Sequence, residues 1–188
     1  MKKICLILCL LFSLLGAFES KRSHLFLGAM VGLAPIQTQQ KTFNTDYTAF
    51  LWGVKGGYQF AFLKFLALRT DFSYLMVLKP TALNTIVTSL LSVNVDVLSN
   101  FYTYKKFSLG VYGGLGIGNF YQNIRLGIEN SLFMGYNGLF NVGVGSTIAN
   151  HHRIEFGAKI PFSKIRNSFE HSSFLNGIFV QASYSYLF

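Results

Sequence analysis

The sequence predicts an all-β protein, an eight-stranded antiparallel transmembrane β-barrel of the up-and-down outer-membrane type. Three observations carry that expectation. The last nine residues alternate: Val180, Ala182, Tyr184, Tyr186 and Phe188 fall on one face of an extended strand and Gln181, Ser183 and Ser185 on the other. The composition is 51% hydrophobic and only 12% charged, yet after the first twenty residues no uninterrupted apolar run reaches spanning-helix length, so the apolar residues are dispersed over strands. The alternating segments, finally, are separated by gaps that are short and long in turn. A soluble sandwich would alternate too, but with charge on its outer face; here the faces are apolar against small or neutral polar.

The chain opens on a segment of another kind. Met1-Lys2-Lys3 is a positive start, Ile4 to Leu15 an apolar core interrupted by Ser13, and Gly16 to Ser20 a small and polar exit. The core is too short to cross about 30 Å of hydrocarbon, so residues 1–20 read as a secretory signal peptide. Cleavage after Ala17 and cleavage after Ser20 both fit. Both cysteines, Cys5 and Cys9, lie inside this segment, so the expected mature chain has no thiol, disulfide or cysteine metal site. Residues 21–188 form one domain.

Period two places strands near residues 24–33, 48–59, 64–75, 91–102, 106–118, 134–148, 152–162 and 177–188. Gaps are long after the first, third, fifth and seventh and short after the others, as external loops and periplasmic turns are. In the second strand Phe50, Trp52, Val54, Tyr58 and Phe60 oppose Lys55; in the third Leu66, Leu68, Phe72 and Tyr74 oppose Arg69 and Asp71. The fourth sets Val93, Val95 and Val97 against Asn94 and Asp96. The seventh sets Ile154, Phe156, Ala158 and Ile160 against Arg153, Glu155 and Lys159. The apolar side is the lipid side, because a Lys or Arg there costs about 2 to 4 kcal/mol at mid-bilayer. Gly110, Gly114, Gly116, Gly143 and Gly145 fall on the inner face, where they leave room for the charged side chains opposite. Trp52, Tyr58, Tyr74 and Tyr102, with Tyr184, Tyr186 and Phe188, cluster near strand ends as an aromatic girdle. Residues 77–92 hold enough apolar side chains for either a short helix or a strand extension.

Three blocks carry a family resemblance. Gly53-Val54-Lys55-Gly56-Gly57-Tyr58-Gln59-Phe60, with Leu66-Ala67-Leu68-Arg69 after it, resembles a G-x-K-x-G-Y-Q element and its partner strand. Asn94-Val95-Asp96-Val97-Leu98-Ser99-Asn100-Phe101 with Lys105 to Gly110 resembles a D-x-L-x-N-F turn and following strand. Phe140-Asn141-Val142-Gly143-Val144-Gly145 and His151-His152-Arg153-Ile154-Glu155-Phe156-Gly157-Ala158-Lys159-Ile160-Pro161 resemble N-V-G and H-H-x-I-E-F-G-x-K-I-P elements. All belong to the C-terminal β-barrel of the Helicobacter outer-membrane protein family, the Hop- and Hor-like proteins. The resemblance implies that barrel and the cell outer membrane as its place. Larger members add an extracellular adhesive domain, an insertion this sequence lacks, and some members act as porins. The C-terminal Phe with apolar residues at every second position also resembles the signal read by the barrel-insertion machinery, assigning Val180, Ala182, Tyr184, Tyr186 and Phe188 to barrel assembly.

The inward set Lys55, Arg69, Asp71, Asp96, Arg153, Glu155 and Lys159 is the constellation with chemistry in it. Eight strands enclose an interior just wide enough for side chains, so these charges pair across the lumen. They form a salt-bridged plug or line a narrow conductance weakly favouring small anions. The formal charge of +9 is scattered, with no basic block and no aromatic-plus-basic platform, which excludes nucleic acid as a partner. Outer-membrane lipid and lipopolysaccharide are the partners such a charge suits. No catalytic, cofactor or metal site is expected. Lipid A-modifying chemistry needs a convergent His, hydroxyl and carboxylate, and His171 beside Glu170, Ser172 and Ser173 offers only adjacent residues on one loop. His151 and His152 point apart and lack a third ligand. Gly113 to Gly118 keeps strand alternation and lacks the Lys-Ser/Thr of a phosphate loop. The expected role is structural or adhesion-related, through external loops near 34–47, 76–90, 119–133 and 163–176 that meet a host surface or glycan. The alternative is a porin-like channel for small solutes.

Overall fold

The structure, a computed structural model, describes residues 23–40, 43–63, 65–80, 84–126, 129–168 and 173–188. The expected signal peptide lies outside the described residues, as do Glu170, His171 and Ser172. The strands are β1 (His24–Gln40), β2 (Phe43–Ala61), β3 (Leu66–Pro80), β4 (Asn84–Tyr104), β5 (Phe107–Leu126), β6 (Glu129–Ile148), β7 (His152–Pro161), β8 (Ile165–Arg166), β9 (Phe174–Gly177) and β10 (Phe179–Leu187). β1 to β7 pair antiparallel in chain order, β10 pairs with β7, and β10 returns to β1 from Phe26↔Leu187 to Leu33↔Val180. Closure satisfies the ladder hydrogen bonds that an open sheet would leave bare in hydrocarbon.

Ten segments make eight staves. β9 continues β10 along β1, from Ile36↔Gly177 to Gln39↔Phe174, and the two are parted only at Ile178. There the partner residue is Pro35, which has no N–H to donate; Ile178 N donates to its carbonyl at 3.3 Å. β8 takes over the position of β7 after residues 162–164 and pairs with β9 through Ile165↔Leu175.

The strands run well past the ends that the sequence suggests. Residues 34–40 and 43–47 continue β1 and β2, residues 76–80 and 84–90 continue β3 and β4, and residues 119–126 and 129–133 continue β5 and β6. The described parts of the first three expected loops are therefore strand, and in the ambiguous 77–92 region residues 77–80 and 84–92 extend β3 and β4. Of the fourth expected loop, 163–176, the described residues include the short strands β8 and β9, in which Ile165 and Leu175 are fully buried. The reason lies in a phase inversion. In the lower barrel the outward residues are apolar, as Leu25, Leu27, Val31 and Leu33 are on β1. Above Leu33 the inward ones become apolar, Ala34 and Ile36, while Pro35, Gln37 and Gln39 face out. β2 inverts likewise between Phe50, outward, and Leu51, Ala49 and Tyr47, inward. Below the inversion the solvent outside is lipid; above it the solvent is water, so the same alternation must swap faces.

The rim opposite these hairpins carries the tight turns. Lys105 (φ 50°), Ala149 (φ 53°) and Asn150 (φ 67°) adopt left-handed backbone there, and short turns mark the periplasmic side of such barrels. The lumen is layered between the rims. Its external half is an apolar core of Met30, Leu51, Leu75, Leu90, Phe120 and Phe133 with their neighbours. Its periplasmic end is closed by Phe26, Ala67, Leu98, Tyr112 and Leu187, all buried. The charged residues lie between these layers.

Candidate functional site

Glu155 is the hub of the charged layer. Its carboxylate accepts from Lys55 Nζ, from Arg69 Nη1 at 2.6 Å and from Arg153 Nε at 2.7 Å. Arg69 turns its other edge to Asp96, with Nη2 at 2.7 Å from Oδ2, and Asp71 stands 3.8 Å from its Nε. The guanidinium is held over the Tyr112 ring at 4.8 Å, with Phe26 at 5.9 Å, contacts that favour a cation already removed from water. Neutral amides complete the layer: Asn94 Nδ2 donates to Asp71 Oδ1 at 2.9 Å, and Asn141 Nδ2 donates to Asp96 Oδ1 at 3.0 Å. Lys55 also donates to Ser183 Oγ at 2.8 Å. Every one of these residues is at least nine-tenths buried.

Of the seven charged residues read from the sequence, the structure joins six into one ion-pair network. Lys159 stands apart: among the described residues it reaches only Asn141 Oδ1, at 3.4 Å. Its expected pairing with a carboxylate is corrected, because no acid of the facing strands comes within ion-pair distance of its amine. A void of about 10 Å³ lies beside it, between Lys55, Arg69, Asp71, Asp96 and Gln181. That is the space of a single water, and Gln181 Oε1, which has no protein partner, borders the same region.

Glycines make the layer possible by close approach. A Cβ on Gly114 would meet Asp96 Oδ1 and the Val95 carbonyl, and one on Gly157 would meet the Tyr112 hydroxyl. Tyr112 thus covers Gly143 and Gly157 on the next two strands, an aromatic laid across residues with no side chain of their own. The run Gly113 to Gly118 is ordinary β5 strand.

The remaining sequence-derived positions are on the outer wall or at the periplasmic rim. Val180, Tyr184, Tyr186 and Phe188 are exposed and Ala182 is half-buried, one outward stripe on and just after β10, while Gln181, Ser183 and Ser185 are buried in the lumen. His24 Nδ1 and His151 Nδ1 lie 2.9 and 2.8 Å from the main-chain oxygens of Phe188 and Leu187, and His152 Nδ1 lies 2.8 Å from Tyr184 Oη. The histidines thus face the end of β10; His24 and His151 meet edge to face at 6.5 Å, and His151 and His152 both pack on the Tyr186 ring. Tyr58 and Tyr102 are exposed near the periplasmic rim. Because β2 and β3 are longer than the sequence suggests, Trp52 and Tyr74 lie mid-strand, near the external limit of the lipid band.

A second polar cluster has no counterpart in the sequence reading. Gln122 Nε2 lies 3.1 Å from Thr38 Oγ1, 3.1 Å from Tyr47 Oη and 2.9 Å from Thr88 Oγ1, tying β1, β2, β4 and β5 together inside the external apolar core. The signal for it is the inward series Phe120, Gln122, Ile124, a polar residue at a core position of a stretch that reads as loop when every apolar face is assigned to lipid.

Residues 53–188 match the family described as Helicobacter outer membrane protein. The chain belongs to this family. As a Helicobacter outer membrane protein, it resides in the outer membrane, with the apolar outward band of β1 to β7 and β10 in lipid. The match starts at Gly53 and takes in all of the charged layer, from Lys55 to Lys159. No curated protein matches it by sequence. The fold is shared with Neisserial surface protein A at 14% identity and a TM-score of 0.57, over 87% of this chain and 97% of that one. It is shared also with a major outer membrane protein from Thermus thermophilus, at 10% identity and a TM-score of 0.52, over 88% of this chain and 99% of that one.

Proposed function

We propose that the protein is a sealed barrel that holds a rigid β-extension above the outer membrane as a contact surface for a host cell or its glycans. The observation that carries this reading is the division of the lumen. Charge pairs are packed between two apolar layers, and the space left beside them is about 10 Å³, which suits a plug and offers no water-filled path for a solute. Strands of 20 and 21 residues, against the roughly 9 to 11 that span a bilayer, spend half their length beyond it. At about 3.3 Å per residue and a tilt near 40°, that half stands on the order of 25 Å above the lipid.

The extension presents neutral hydrogen-bonding groups and tyrosine outward: Gln37, Gln39 and Thr48 on β1 and β2, Tyr121 on β5, Tyr136 on β6. Such side chains suit sugar hydroxyls and polar protein surfaces. Exposed Lys164 and Arg166 supply positive charge beside lipopolysaccharide, and the stripe ending at Phe188 is taken as the segment read by the insertion machinery. We assign the chain no catalytic role. The reading is tested by binding of the refolded barrel to epithelial cells and glycan arrays, beside a variant whose residues 37–46 are replaced by an Asn-Gly turn. Binding that the trimmed barrel loses supports it; equal retention by both, or none by either, removes its support.

A further inference from the structure

The outer wall carries a continuous depression where the last strands are broken. Two prolines make it: Pro35 parts β9 from β10, and Pro161 ends β7 before β8 begins. The upper part, about 690 Å³, opens at the external limit of the lipid band and is lined by Gln37, Asp46, Thr48, Pro161 and Asn176 among others. The lower part, about 630 Å³, shares Pro35 and Thr48 with it and runs down into the band. Its floor is Val31, Val180 and the small Ala182, and Phe50 and Phe156 border it from β2 and β7.

We infer that this depression is a binding site for an outer-leaflet amphiphile, one hydrocarbon chain lying in the lower trough and an amine-bearing head, as in an ethanolamine phospholipid, seated in the upper notch. The lining changes along the groove where the medium outside changes: apolar side chains alone flank Gln181 within hydrocarbon, and just above, amides, a hydroxyl and a carboxylate join Ile160, Pro161 and Ile178. The head is specified by charge. Among the described residues Asp46 is the one ionised group lining the notch, exposed and oriented by the Gln37 amide, which donates to its Oδ2 at 3.0 Å. A carboxylate there attracts an ammonium and repels a head carrying only phosphate. The pocket volume is that of ordinary small-molecule sites, and the trough is formed by packed strands rather than by a turn.

The protein carries its own reporter. Trp52 is its single tryptophan, on the outer face of β2 and directly paired with Val31 of the trough floor. The refolded full chain in non-ionic detergent is titrated with phosphatidylethanolamine bearing brominated chains, and Trp52 quenching is followed; phosphatidylglycerol with the same chains is the comparison. Saturable quenching by the ethanolamine lipid at least fivefold tighter than by the glycerol lipid is expected. Asp46→Asn removes that preference, and Ala182→Phe, which fills the trough with a lipid-compatible side chain, weakens both lipids at least tenfold. Unsaturable or equal quenching by the two lipids in the unmodified barrel, or unchanged quenching in Ala182→Phe, overturns the inference. Heat-modifiable mobility checks that each variant is folded, and Asp46→Asn, exposed on the outer wall, serves should Ala182→Phe not fold.

Discussion

Glu155 receives three cations, Lys55, Arg69 and Arg153, in a layer closed to water on both sides. Removing one member of a buried pair leaves its partner charged and unsolvated, at a cost of about 3 to 5 kcal/mol. Glu155→Ala is therefore expected to lower the urea midpoint of the detergent-folded barrel more than any other single change in the layer, with Arg69→Met next, since it strands Asp96 and takes one of the three cations from Glu155. Lys159→Met should do the opposite. Its amine has one long hydrogen bond and no carboxylate in reach, so an apolar side chain of similar length loses little and sheds a desolvation cost; an equal or higher midpoint is expected. A fall as large as that of Arg69→Met would show that Lys159 is paired after all. Gln122→Leu, in the external core, leaves Thr38, Tyr47 and Thr88 without their common partner and should cost about 1 to 3 kcal/mol in the same titration.

The strands divide into two regimes, and each has its own sensitivity. Within the lipid band an outward residue must be apolar, so Val95→Arg on β4 is expected to cost about 2 to 4 kcal/mol. Above the band the outward face tolerates charge: Gln39→Lys on β1, where the side chain is exposed, should leave the urea midpoint unchanged within error. Comparing the two midpoints checks the position of the phase inversion directly. The turn at 149–151 holds a different kind of strain. Ala149 has φ 53°, a conformation costing an L-residue with a Cβ about 1 kcal/mol relative to glycine. Ala149→Gly should accordingly raise the midpoint, and a lowered one would mean that the Cβ packs favourably.

A closed barrel with a filled lumen makes two statements about the whole molecule. Refolded protein in a planar bilayer should give no discrete openings, whereas steps that change in size in a Lys55→Glu barrel would establish a conducting lumen and remove the sealed reading. The extension should also be reachable from outside the cell. With Cys5 and Cys9, the two native cysteines, replaced by serine, a cysteine placed at Gln39 should react with a membrane-impermeant maleimide on intact cells, and one placed at Val95 should not. Labelling at both, or at neither, would contradict the orientation argued from the tight turns.

Alternation read along the chain was enough for the lipid-embedded half. Lys55 among Phe50, Trp52, Val54 and Tyr58, or Asp96 among Val93, Val95 and Val97, can face only inward when the outside is hydrocarbon, and that local rule holds strand by strand. It failed above the band because the outside there is water. The series Ala34, Ile36, Thr38 and Phe120, Gln122, Ile124 alternate just as regularly, but with the apolar face turned in, and against a fixed lipid-facing rule they look like loop. Pairing was equally out of reach of a linear reading. That Glu155 meets three cations while Lys159 meets no acid depends on the registers of strands up to 100 residues apart in sequence. The notch at Pro35 and Pro161 exists only because closure brings β1 and β2 beside the two broken staves, β7 with β8 and β9 with β10. Face preference is a property of each residue and its solvent; partners and cavities are properties of the closed sheet, which sets which faces converge and at what height.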